Sequence, residues 1–576
     1  MYILRTWLAG ADDVRKKDVF TLINGETLKQ AIISGANNIS SIKARINDLN
    51  IFPVPDGDTG TNMSMTITAA ADALKDAEPA DVSEVANMTA SAMLRGARGN
   101  SGVITSLLFR GISKGLEGKA EASGADLIHA LGLGVEAAYN AVTKPTEGTI
   151  LTVARMGYEA GLEALDTEED PAVLWEIVCD ASLEALDLTP TMLPVLKKAG
   201  VVDAGGKGIL TIFEGMLSVF RDGVVVELKE EAYEKETDDD FFRSAAAEFD
   251  QVINFTYCTE FIVGRNEECE KEPNDLRLYL ETIGDSIVMV ADDEIIKVHV
   301  HTETPGDALQ HGLEYGQLLT VKIENMKEQH RKAKEENEKA KEKAEKKVEL
   351  TVAEPTEEYG FVAVAAGEGL CNLFNELGCR YVVSGGQSMN PSTEDIYAAV
   401  MATPAKCVYV LPNNKNIIMA AQQTAAIVED RTVIIVPTRT IPQGLSAMLV
   451  FDPDSDAETN VDNMLQAAKN VSTGQITFAA RDSEFGARRI KEGEIIGLDN
   501  GKLTVTSSSP NKALYKLAKS MINKEMSFVT LISGEGVSEE DAASAVEMLE
   551  NKFADQVDIT YIKGDQPIYY YIFSVE

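Results

Sequence analysis

Apolar residues recur at helical spacing through the first 225 residues of the chain. Stretches such as SEVANMTASAMLRGA and ADLIHALGLGVEAAYNAV are rich in Ala, Leu, Met and Ile, and short segments of Gly, Pro and Thr separate them. A helical period places the apolar side chains on one face of a helix, which can then pack against other helices. The pattern therefore predicts a mostly helical domain over residues 1–225.

Alternating apolar and polar positions characterise the next part of the chain. The segments TYCTEFIVG, DSIVMVADDE and IIKVHVHTE, which fall within residues 255–325, have the period of β-strands. The segment NDLRLYLETIG between them has the period of a helix. We predict an α+β domain over residues 226–325.

From residue 348 onward, short apolar runs alternate with helix-like segments. FVAVAAGEG precedes LCNLFNELG, YVVSGG precedes STEDIYAAVM, CVYVLPNN precedes IIMAAQQTAAI, and VIIVPT follows. Such alternation is typical of an α/β domain with a buried parallel sheet. Near the end, MSFVTLISGEG, SEEDAASAVEMLENKF and QVDITYIKGDQPIYYYIFSVE indicate a second lobe within the domain predicted for residues 348–576.

Two polar segments separate these regions. EKETDDDFF at residues 234–242 is an acidic break and marks a boundary. The charged tract over residues 326–347 contains pairs such as Glu335–Lys339 in the favoured i,i+4 order, and it lacks the apolar a and d repeat of a coiled coil. We predict a solvated helical linker about 35 Å long, because a helix rises about 1.5 Å per residue.

The composition limits the class of protein. The chain has 576 residues, of which 44% are hydrophobic and 25% charged, as in a globular protein of about two to four domains. The net charge of −39 repels nucleic-acid phosphate and anionic lipid, so we expect no nucleic-acid partner. We expect neither a transmembrane segment nor a signal peptide, since no apolar stretch nears roughly 20 residues and no charged segment precedes the brief apolar start. Six scattered cysteines without a C-x-x-C pattern suit the reducing cytoplasm.

The segment PDGDTGTNM at residues 55–63 carries the strongest chemical pattern. Asp56 and Asp58 lie one residue apart in a glycine-containing turn, and an apolar helical run begins at Met63. Mg²⁺ prefers oxygen ligands and is typically held by one or two carboxylates plus substrate phosphates, and a helix N-terminus favours anions. The pattern predicts a place where metal and phosphate meet. The alternative is an Asx-type turn that caps the helix.

Three further glycine-rich turns follow in the helical region. They are ARGNSGV at 97–103, PTEGTILTVAR at 145–155 and AGVVDAGGKG at 199–208. Asn100, Ser101 and Gly102 of the first of these turns can offer backbone N–H and hydroxyl donors to phosphate. In PTEGTILTVAR, Thr146 can cap a helix whose first turn contains Gly148 and Thr149. The last turn is not a P-loop, because Gly208 stands where that motif requires Ser or Thr. Each turn alone is more often an ordinary turn, but four of them in one helical region are much less expected by chance.

A group of metal-ligand residue types lies in the predicted middle domain. His299 and His301 belong to KVHVHT, and Cys258 belongs to FTYCTEF. On a strand, residues i and i+2 point to the same face, so the two imidazoles project together. Cys with two His suits Zn²⁺, and the fourth ligand would be water, an acidic residue or a phosphate. The alternative is two histidines on a solvated strand face and a buried cysteine.

The four turns, in this order, resemble the DhaL-type nucleotide-binding subunit of the dihydroxyacetone kinases. NIFPVPDGDTGTNM, ARGNSG, KPTEGTILTVAR and KAGVVDAGGKG resemble more closely the N-terminal domain of the FakA family of fatty acid kinase. SGGQSMNPSTEDI, LPNNKNI and GDQPIYYYIFSVE resemble the C-terminal region of that family, which is similar to the DegV-like fatty-acid-binding proteins. The resemblance runs through most of the chain.

The resemblance implies a fold and a set of site residues. The fold would be an all-α helical barrel of DhaL type, an α+β middle domain that binds zinc through the Cys/His/His group, a helical linker and a DegV-like α/β domain. Asp56 and Asp58 would ligate Mg²⁺ and serve catalysis. The third Mg²⁺ ligand stays open between Asn50, Asp48 and water, because the aspartate that dihydroxyacetone kinases carry before the pair is missing here. The residues implied for the nucleotide are Thr59, Asn62, Asn100, Ser101, Gly102, Thr146, Gly148, Thr149, Asp203 and Gly205.

The resemblance also implies a function. The chain would be the ATP-binding subunit of a kinase, with ATP or ADP, Mg²⁺ and Zn²⁺ as cofactors, and would form a homodimer. Its substrate would be a fatty acid on a separate FakB-like carrier protein, and its product an acyl phosphate for phospholipid synthesis. Residues 1–225 would do the chemistry and residues 348–576 would dock the carrier, with the linker setting the reach between them. The alternatives are a dihydroxyacetone-type kinase of a small metabolite and a nucleotide-binding scaffold or regulator without turnover.

Overall fold

The computed structural model describes most of the chain. The described residues are 22–50, 58–79, 81–142, 144–228, 255–266, 269, 271–291, 295–325, 350–386, 390–485 and 488–576. Three sequence-based predictions lie outside them, namely those for Asp56, for the acidic break over 234–242 and for the linker over 326–347.

The described part of residues 22–228 is helical, as the apolar spacing predicts. Its helices are α1 (Gly25–Asp48), α2 (Thr59–Lys75), α3 (Val82–Gly96), α4 (Gly99–Gly115), α5 (Gly124–Ala141), α6 (Ile150–Ala164), α7 (Pro171–Met192), α8 (Pro194–Ala199) and α9 (Ala204–Asp222). We call this part the helical region. It belongs to the same compact unit as residues 350–576, and Ala232–Glu349 form a second unit.

Local sequence sets where these helices begin and end. The side chains of Asn24 and Asp81 accept hydrogen bonds from backbone N–H groups at the starts of α1 and α3. Ser123 and Asp126 form a reciprocal capping box at the start of α5. Gly223 ends α9 in a left-handed conformation with φ of 65°, which a glycine adopts without strain.

The helices close a ring around an apolar core. Neighbouring helices pack in chain order from α1 to α7, and α9 contacts both α7 and α1. Trp175 of α7 is fully buried, and its ring meets the rings of Phe213 and Phe220 edge-on, with centroids 5.3 and 5.6 Å away. The indole N–H donates to the Phe213 carbonyl oxygen at 3.1 Å, so the one polar group of this side chain is paired.

The second unit contains a four-stranded antiparallel sheet among its described residues. Its elements are β1 (Tyr257–Arg265), α10 (Pro273–Ile283), β2 (Gly284–Ala291), β3 (Ile295–Thr302), α11 (Pro305–Gly312) and β4 (Gly316–Asn325). The strand order is β2-β3-β1-β4. Phe261 and Val298 pack with Leu276 and Leu280 of α10 in a buried cluster. The three predicted strands and the helix between them are confirmed, and the structure adds α11 and β4.

Residues 350–576 form the C-terminal region, in which strands and helices alternate. Its elements are β5 (Glu357–Ala365), α12 (Glu368–Glu376), β6 (Cys379–Ser384), α13 (Thr393–Ala402), β7 (Ala405–Leu411), α14 (Ile418–Ile427), β8 (Thr432–Ile435), α15 (Ile441–Leu449), α16 (Ala457–Asn470), β9 (Ser472–Phe478), β10 (Ser483–Phe485), β11 (Arg488–Ile490), β12 (Ile495–Asp499), β13 (Lys502–Ser507), α17 (Pro510–Met521), β14 (Phe528–Gly534), α18 (Glu539–Phe553), β15 (Asp558–Gln566) and β16 (Tyr571–Val575). No helix among the described residues, from α1 to α18, combines the length and the hydrophobicity that a membrane-spanning helix needs.

Two larger sheets organise the C-terminal region. The strands β6-β5-β7-β8 all run parallel, and apolar residues such as Val362 and Val408 are fully buried within them, as predicted for a sheet covered on both faces. The second sheet has the order β13-β12-β9-β16-β14-β15, in which β14 and β15 pair in parallel and the other neighbours are antiparallel. The predicted second lobe is thereby confirmed, and the structure adds β9 to β13.

The C-terminal region packs directly against the helical region. Ala97 and Val103 share one buried apolar cluster with Val362 and Ile396, and the backbone N–H of Thr393 donates to the Ala97 carbonyl oxygen at 3.0 Å. Such burial of apolar area holds the two regions together. The sequence led us to expect that the linker sets their reach, and the structure differs, because the two regions already share a core.

Candidate functional site

A cavity of about 510 Å³ opens between the helical region and the C-terminal region. Eight of the residues predicted from the sequence line it: Asp58, Thr59, Asn62, Asn100, Ser101, Thr149, Asp203 and Gly205. Asp56 lies outside the described residues, and Gly102, Thr146 and Gly148 are not part of the lining. The volume falls within the range of small-molecule sites, about 300–1,000 Å³.

Four helices begin at this cavity. The lining includes the first residues of α2, α4, α6 and α9, which come from the four glycine-rich turns of the sequence. A helix N-terminus carries backbone N–H groups without partners in its own helix and about half a positive charge. Their convergence makes this part of the cavity suited to an anion such as a phosphate group.

Asp58 stands at the start of α2 without capping it through its side chain. The capping role belongs to Asn47 of α1, whose Oδ1 accepts from the backbone N–H groups of Gly60 at 2.7 Å and Thr61 at 3.2 Å. The amide of Asn47 also donates to Thr61 Oγ1 at 2.9 Å. The alternative of a helix-capping Asx turn therefore does not describe the Asp58 side chain. Asp58 instead lines the cavity, where its carboxylate could serve a metal ion.

Asn50 is one of the two residues that the sequence left open as a third Mg²⁺ ligand, and it reaches the cavity. It lines the cavity, whereas Asp48 does not. Its Oδ1 accepts from Thr59 Oγ1 at 2.7 Å, and its Nδ2 donates to the Asn47 carbonyl oxygen at 2.8 Å. Asn50 and Thr59 therefore form one hydrogen-bonded pair beside Asp58.

Gly99 and Gly102 at the start of α4 permit a close approach to α2. Gly99 has a φ of 56°, and a Cβ at this position would lie 2.6 Å from Asn62 Nδ2. A Cβ on Gly102 would collide with Thr66 Oγ1. Gly102 thus acts in helix packing, while Asn100 and Ser101 of the same turn reach the cavity.

The turn before α6 differs from its prediction. The helix begins at Ile150 with Thr149 as N-cap, so Gly148 and Thr149 precede its first turn. Thr146 does not cap the helix, because its Oγ1 points back to the Lys144 carbonyl oxygen at 3.4 Å. The reason is Gly148, whose φ of 84° turns the chain and delays the start of the helix.

Asp203 serves the N-termini of two helices. Its carboxylate accepts from the backbone N–H of Gly206 at 2.8 Å, and also from those of Gly205 and Ile150, the first residue of α6. Burial raises the pKa of Asp203 to about 6, and the hydrogen bonds from the N–H groups act in the opposite direction. Asp203 therefore joins the starts of α6 and α9 and remains mostly ionised at neutral pH.

The C-terminal region supplies the opposite wall, which sequence reasoning missed. Its lining residues include Asn414, Lys415, Asn416, Arg439, Thr440 and Asn500. The first three follow the end of β7, and Arg439 and Thr440 follow the end of the adjacent parallel strand β8. Ligands of open parallel sheets bind beyond the carboxyl ends of the strands, so strand order offered a signal for these positions.

Two oxygens near the start of α4 lack hydrogen-bond partners among the described residues. They are Asn100 Oδ1 and Asn390 Oδ1, and both atoms are buried. A buried amide oxygen without a partner is costly, and a ligand, ion or water at the site would satisfy it. The Asp58 carboxylate, to which Asn390 donates, is an oxygen ligand of the kind that Mg²⁺ prefers, and water on such an ion could donate to a buried amide oxygen.

A second candidate site lies in the unit Ala232–Glu349. Cys258 on β1 pairs in register with His301 on β3, and His299 follows the same face two positions away. The ligand atoms of the three residues all lie within 4.8 Å of one another, with the two Nε2 atoms 3.2 Å apart and Cys258 Sγ 3.9 Å from His299 Nδ1. The three predicted residues are thus brought together.

Two carboxylates that were not predicted adjoin this Cys/His group. Glu260 Oε1 lies 3.1 Å from His299 Nδ1, and Asp285 Oδ1 lies 3.7 Å from His301 Nδ1. The proximity of His299 holds the pKa of Glu260 below its usual value. Carboxylates beside metal-binding imidazoles orient the rings, and the fourth ligand stays open.

The chain matches three known protein families along its length. Residues 53–218 match the DAK2 domain, residues 254–333 the FakA-like middle domain of fatty acid kinase, and residues 360–576 the FakA-like C-terminal domain of fatty acid kinase. The chain is also 40% identical to Protein YloV of Bacillus subtilis (strain 168), over 96% of this chain and 99% of that protein.

Two solved structures are similar to parts of the chain. One is the DegV family protein Cg2579 from Corynebacterium glutamicum, with 14% identity over 38% of this chain and 97% of that one, at a TM-score of 0.30. The other is the dihydroxyacetone kinase from C. freundii in complex with AMP-PNP and Mg²⁺, with 18% identity over 37% of this chain and 38% of that one, at a TM-score of 0.27.

The raised pKa of Asp203 predicts a pH-dependent gain of stability in the Asp203→Asn variant. Asparagine keeps an oxygen for the N–H of Gly206 and carries no charge. Between about pH 4 and pH 6 the folded wild type holds the Asp203 proton that the unfolded chain has lost, so its stability falls as the pH rises. The free energy of unfolding of the variant relative to wild type should therefore rise on the order of 2 kcal/mol from pH 4 to pH 7.

Urea unfolding, followed by Trp175 fluorescence in a Trp7→Phe background, measures this difference at each pH. Trp175 reports on the core of the helical region, which contains α9. A difference between variant and wild type that stays constant from pH 4 to pH 7 would contradict the raised pKa.

Proposed function

The chain belongs to the FakA-like family of fatty acid kinase, and from this premise we propose that it is the ATP-dependent subunit of a kinase for carrier-bound fatty acids. The single observation that supports the proposal best is the cavity at which four helix N-termini meet the Asp58 carboxylate. In the proposal the helix N-termini hold the phosphates of ATP, and Asp58, with Asp56, holds Mg²⁺. Asp203 and Gly205 lie beside the nucleoside.

The proposed reaction moves the γ-phosphoryl group to a fatty-acid carboxylate. The bond between the β–γ bridging oxygen and the γ-phosphorus breaks, a carboxylate oxygen bonds to that phosphorus, and ADP leaves with an acyl phosphate as the second product. Mg²⁺ held by Asp56 and Asp58 would supply charge neutralisation at the phosphates. The chain positions the reactants, and the acceptor needs no general base, because a carboxylate is already anionic near pH 7. Histidine is accordingly not among the described residues that line the cavity.

The proposal divides the chain into four parts. Residues 1–225 bind the nucleotide, residues 226–325 bind zinc, residues 326–347 link the parts, and residues 348–576 dock a FakB-like carrier protein. The carrier would keep the fatty-acid chain and present its carboxylate to the cavity, from which the acyl phosphate enters phospholipid synthesis. The homodimer that the sequence led us to expect stays a prediction.

The deciding experiment is an incubation of the protein with labelled ATP and three kinds of acceptor. The acceptors are a fatty acid on its carrier protein, the free fatty acid and dihydroxyacetone, and hydroxylamine traps acyl phosphate as a stable hydroxamate. The proposal predicts hydroxamate with the loaded carrier. Label in dihydroxyacetone phosphate would establish the small-metabolite alternative, and nucleotide binding without transfer to any acceptor would establish a scaffold.

Asp58→Ala should abolish phosphoryl transfer while leaving the fold intact, and Asp56→Ala should do the same. Loss of a metal ligand removes charge stabilisation, which typically costs about 10²-fold or more in rate. Asp72→Ala is the matched control, because Asp72 is an exposed residue of the same helix, α2. Initial rates with loaded carrier measure the effect, and near-wild-type turnover by a folded Asp58→Ala protein would refute the assignment.

Arg439→Ala and Lys415→Ala should each slow transfer and weaken ATP binding. These cations line the cavity of a strongly acidic chain and can neutralise charge on the triphosphate. We expect a loss of about 10- to 100-fold in kcat/KM for ATP, because a hydrogen bond to a charged group contributes about 1.5–3 kcal/mol. Arg380→Ala, at an exposed position of β6 outside the cavity lining, is the control. If Arg439→Ala and Arg380→Ala had the same kcat/KM for ATP, the proposed role of these cations in ATP binding would be refuted.

The purified protein should contain about one Zn²⁺ per chain, held by Cys258, His299 and His301. Elemental analysis should show that a Cys258→Ala/His301→Ala double variant loses this metal. His311→Ala is the control, because His311 stacks on Tyr279 and is not part of the Cys/His group. Metal-free wild type, or unchanged zinc in the double variant, would show that the cluster is not a zinc site.

A further inference from the structure

Asn390 brings the C-terminal region into contact with Asp58. Its Nδ2 donates to Asp58 Oδ2 at 2.5 Å, although the two residues are 332 positions apart in the chain. Asn390 is only 3% exposed, so this hydrogen bond is shielded from water. Asn390 lies outside the four glycine-rich turns.

The backbone of Asn390 is fixed independently of its side chain. Its carbonyl oxygen accepts from Arg98 Nη1 at 2.8 Å, and Arg98 is the N-cap residue of α4. The other guanidinium nitrogen of Arg98 lies 3.7 Å from Asp395 Oδ2, which also belongs to the capping box of α13. These contacts would survive a change of the Asn390 side chain, because they use its backbone and its neighbours.

The side-chain oxygen of Asn390 has no hydrogen-bond partner among the described residues, and it is buried. The space around the amide is tight, since a Cβ on Gly99 would lie 3.3 Å from Asn390 Nδ2. A buried amide oxygen beside a carboxylate needs a donor, and water bound to a metal ion is one.

We propose that Asn390 is a positioning residue of the metal site, with Nδ2 orienting the Asp58 carboxylate and Oδ1 accepting a hydrogen bond from water bound to the divalent cation. This inference rests on the proposed function, because it takes Asp58 to be a metal ligand. Ligating carboxylates are normally held by such hydrogen bonds, and Mg²⁺ usually keeps several waters. The C-terminal region thus completes the metal site in addition to docking the carrier.

The test measures divalent-cation binding in the full-length protein. Mn²⁺ replaces Mg²⁺, and the electron paramagnetic resonance signal of free Mn²⁺ reports binding in the presence of ADP. Asn390→Ala should weaken Mn²⁺ binding about 10- to 100-fold, as expected when an outer hydrogen-bond partner of a metal ligand is lost. The affinity for ADP in EDTA, measured by calorimetry, should stay at the wild-type value, because the helix N-termini remain.

Thr393→Val is the matched control for loosening the contact between the regions. Thr393 is fully buried three residues from Asn390, and its Oγ1 donates to the Ala97 carbonyl oxygen at 3.4 Å without touching Asp58. This variant should bind Mn²⁺ as wild type does.

Two results would overturn the positioning role. One is unchanged Mn²⁺ binding by Asn390→Ala, and the other is an equal loss of Mn²⁺ and metal-free ADP binding in both variants, which would show a general structural effect. Wild type that binds no Mn²⁺ with ADP would instead overturn the proposed function, and this inference with it.

Discussion

The site depends on the need of helix N-termini for hydrogen-bond acceptors. Four helices begin at one cavity, and each brings backbone N–H groups that its own turns cannot satisfy. Asn47 serves α2, and Asp203 serves both α6 and α9, so protein atoms meet part of this need. In a chain with a net charge of −39, the remaining N–H groups give this cavity a local preference for an anion.

The division of capping roles explains why Asp58 is available for chemistry. An aspartate at a helix start normally caps that helix through its own side chain. Here the amide of Asn47 does so from the end of α1, and the Asp58 carboxylate is oriented from another direction by Asn390. One neutral amide therefore caps the helix, and a second neutral amide orients the carboxylate at its start.

The sequence predicts features that depend on local pattern and misses those that depend on distant contacts. The four turns predict Asp58, Asn100, Ser101 and Asp203 at one site, because each turn starts a helix and the helices pack in a ring. The parallel sheet is also predicted from local pattern, because short apolar strands alternate with helical segments along the chain. In the middle unit the i,i+2 spacing of His299 and His301 is local too.

The missed residues reach their sites through tertiary packing or strand register. Arg439 reaches the cavity, and Asn390 reaches Asp58, only because the C-terminal region packs on α3 and α4, which no local pattern reveals. Glu260 joins the Cys/His group through the antiparallel register that sets it opposite His299. The start of α6 was predicted too early, and the cause is local. Gly148 takes a left-handed conformation that the sequence permits but does not require.

The central claim is that the nucleotide binds in a cavity built from both regions. Hydrogen–deuterium exchange of the full-length protein, with and without Mg²⁺ and ADP, tests it most directly. The account predicts slower exchange on binding at the starts of α2 and α4 and, together with them, at residues 414–416 and 439–440. Protection confined to the helical region, with unchanged exchange in the two C-terminal segments, would contradict it.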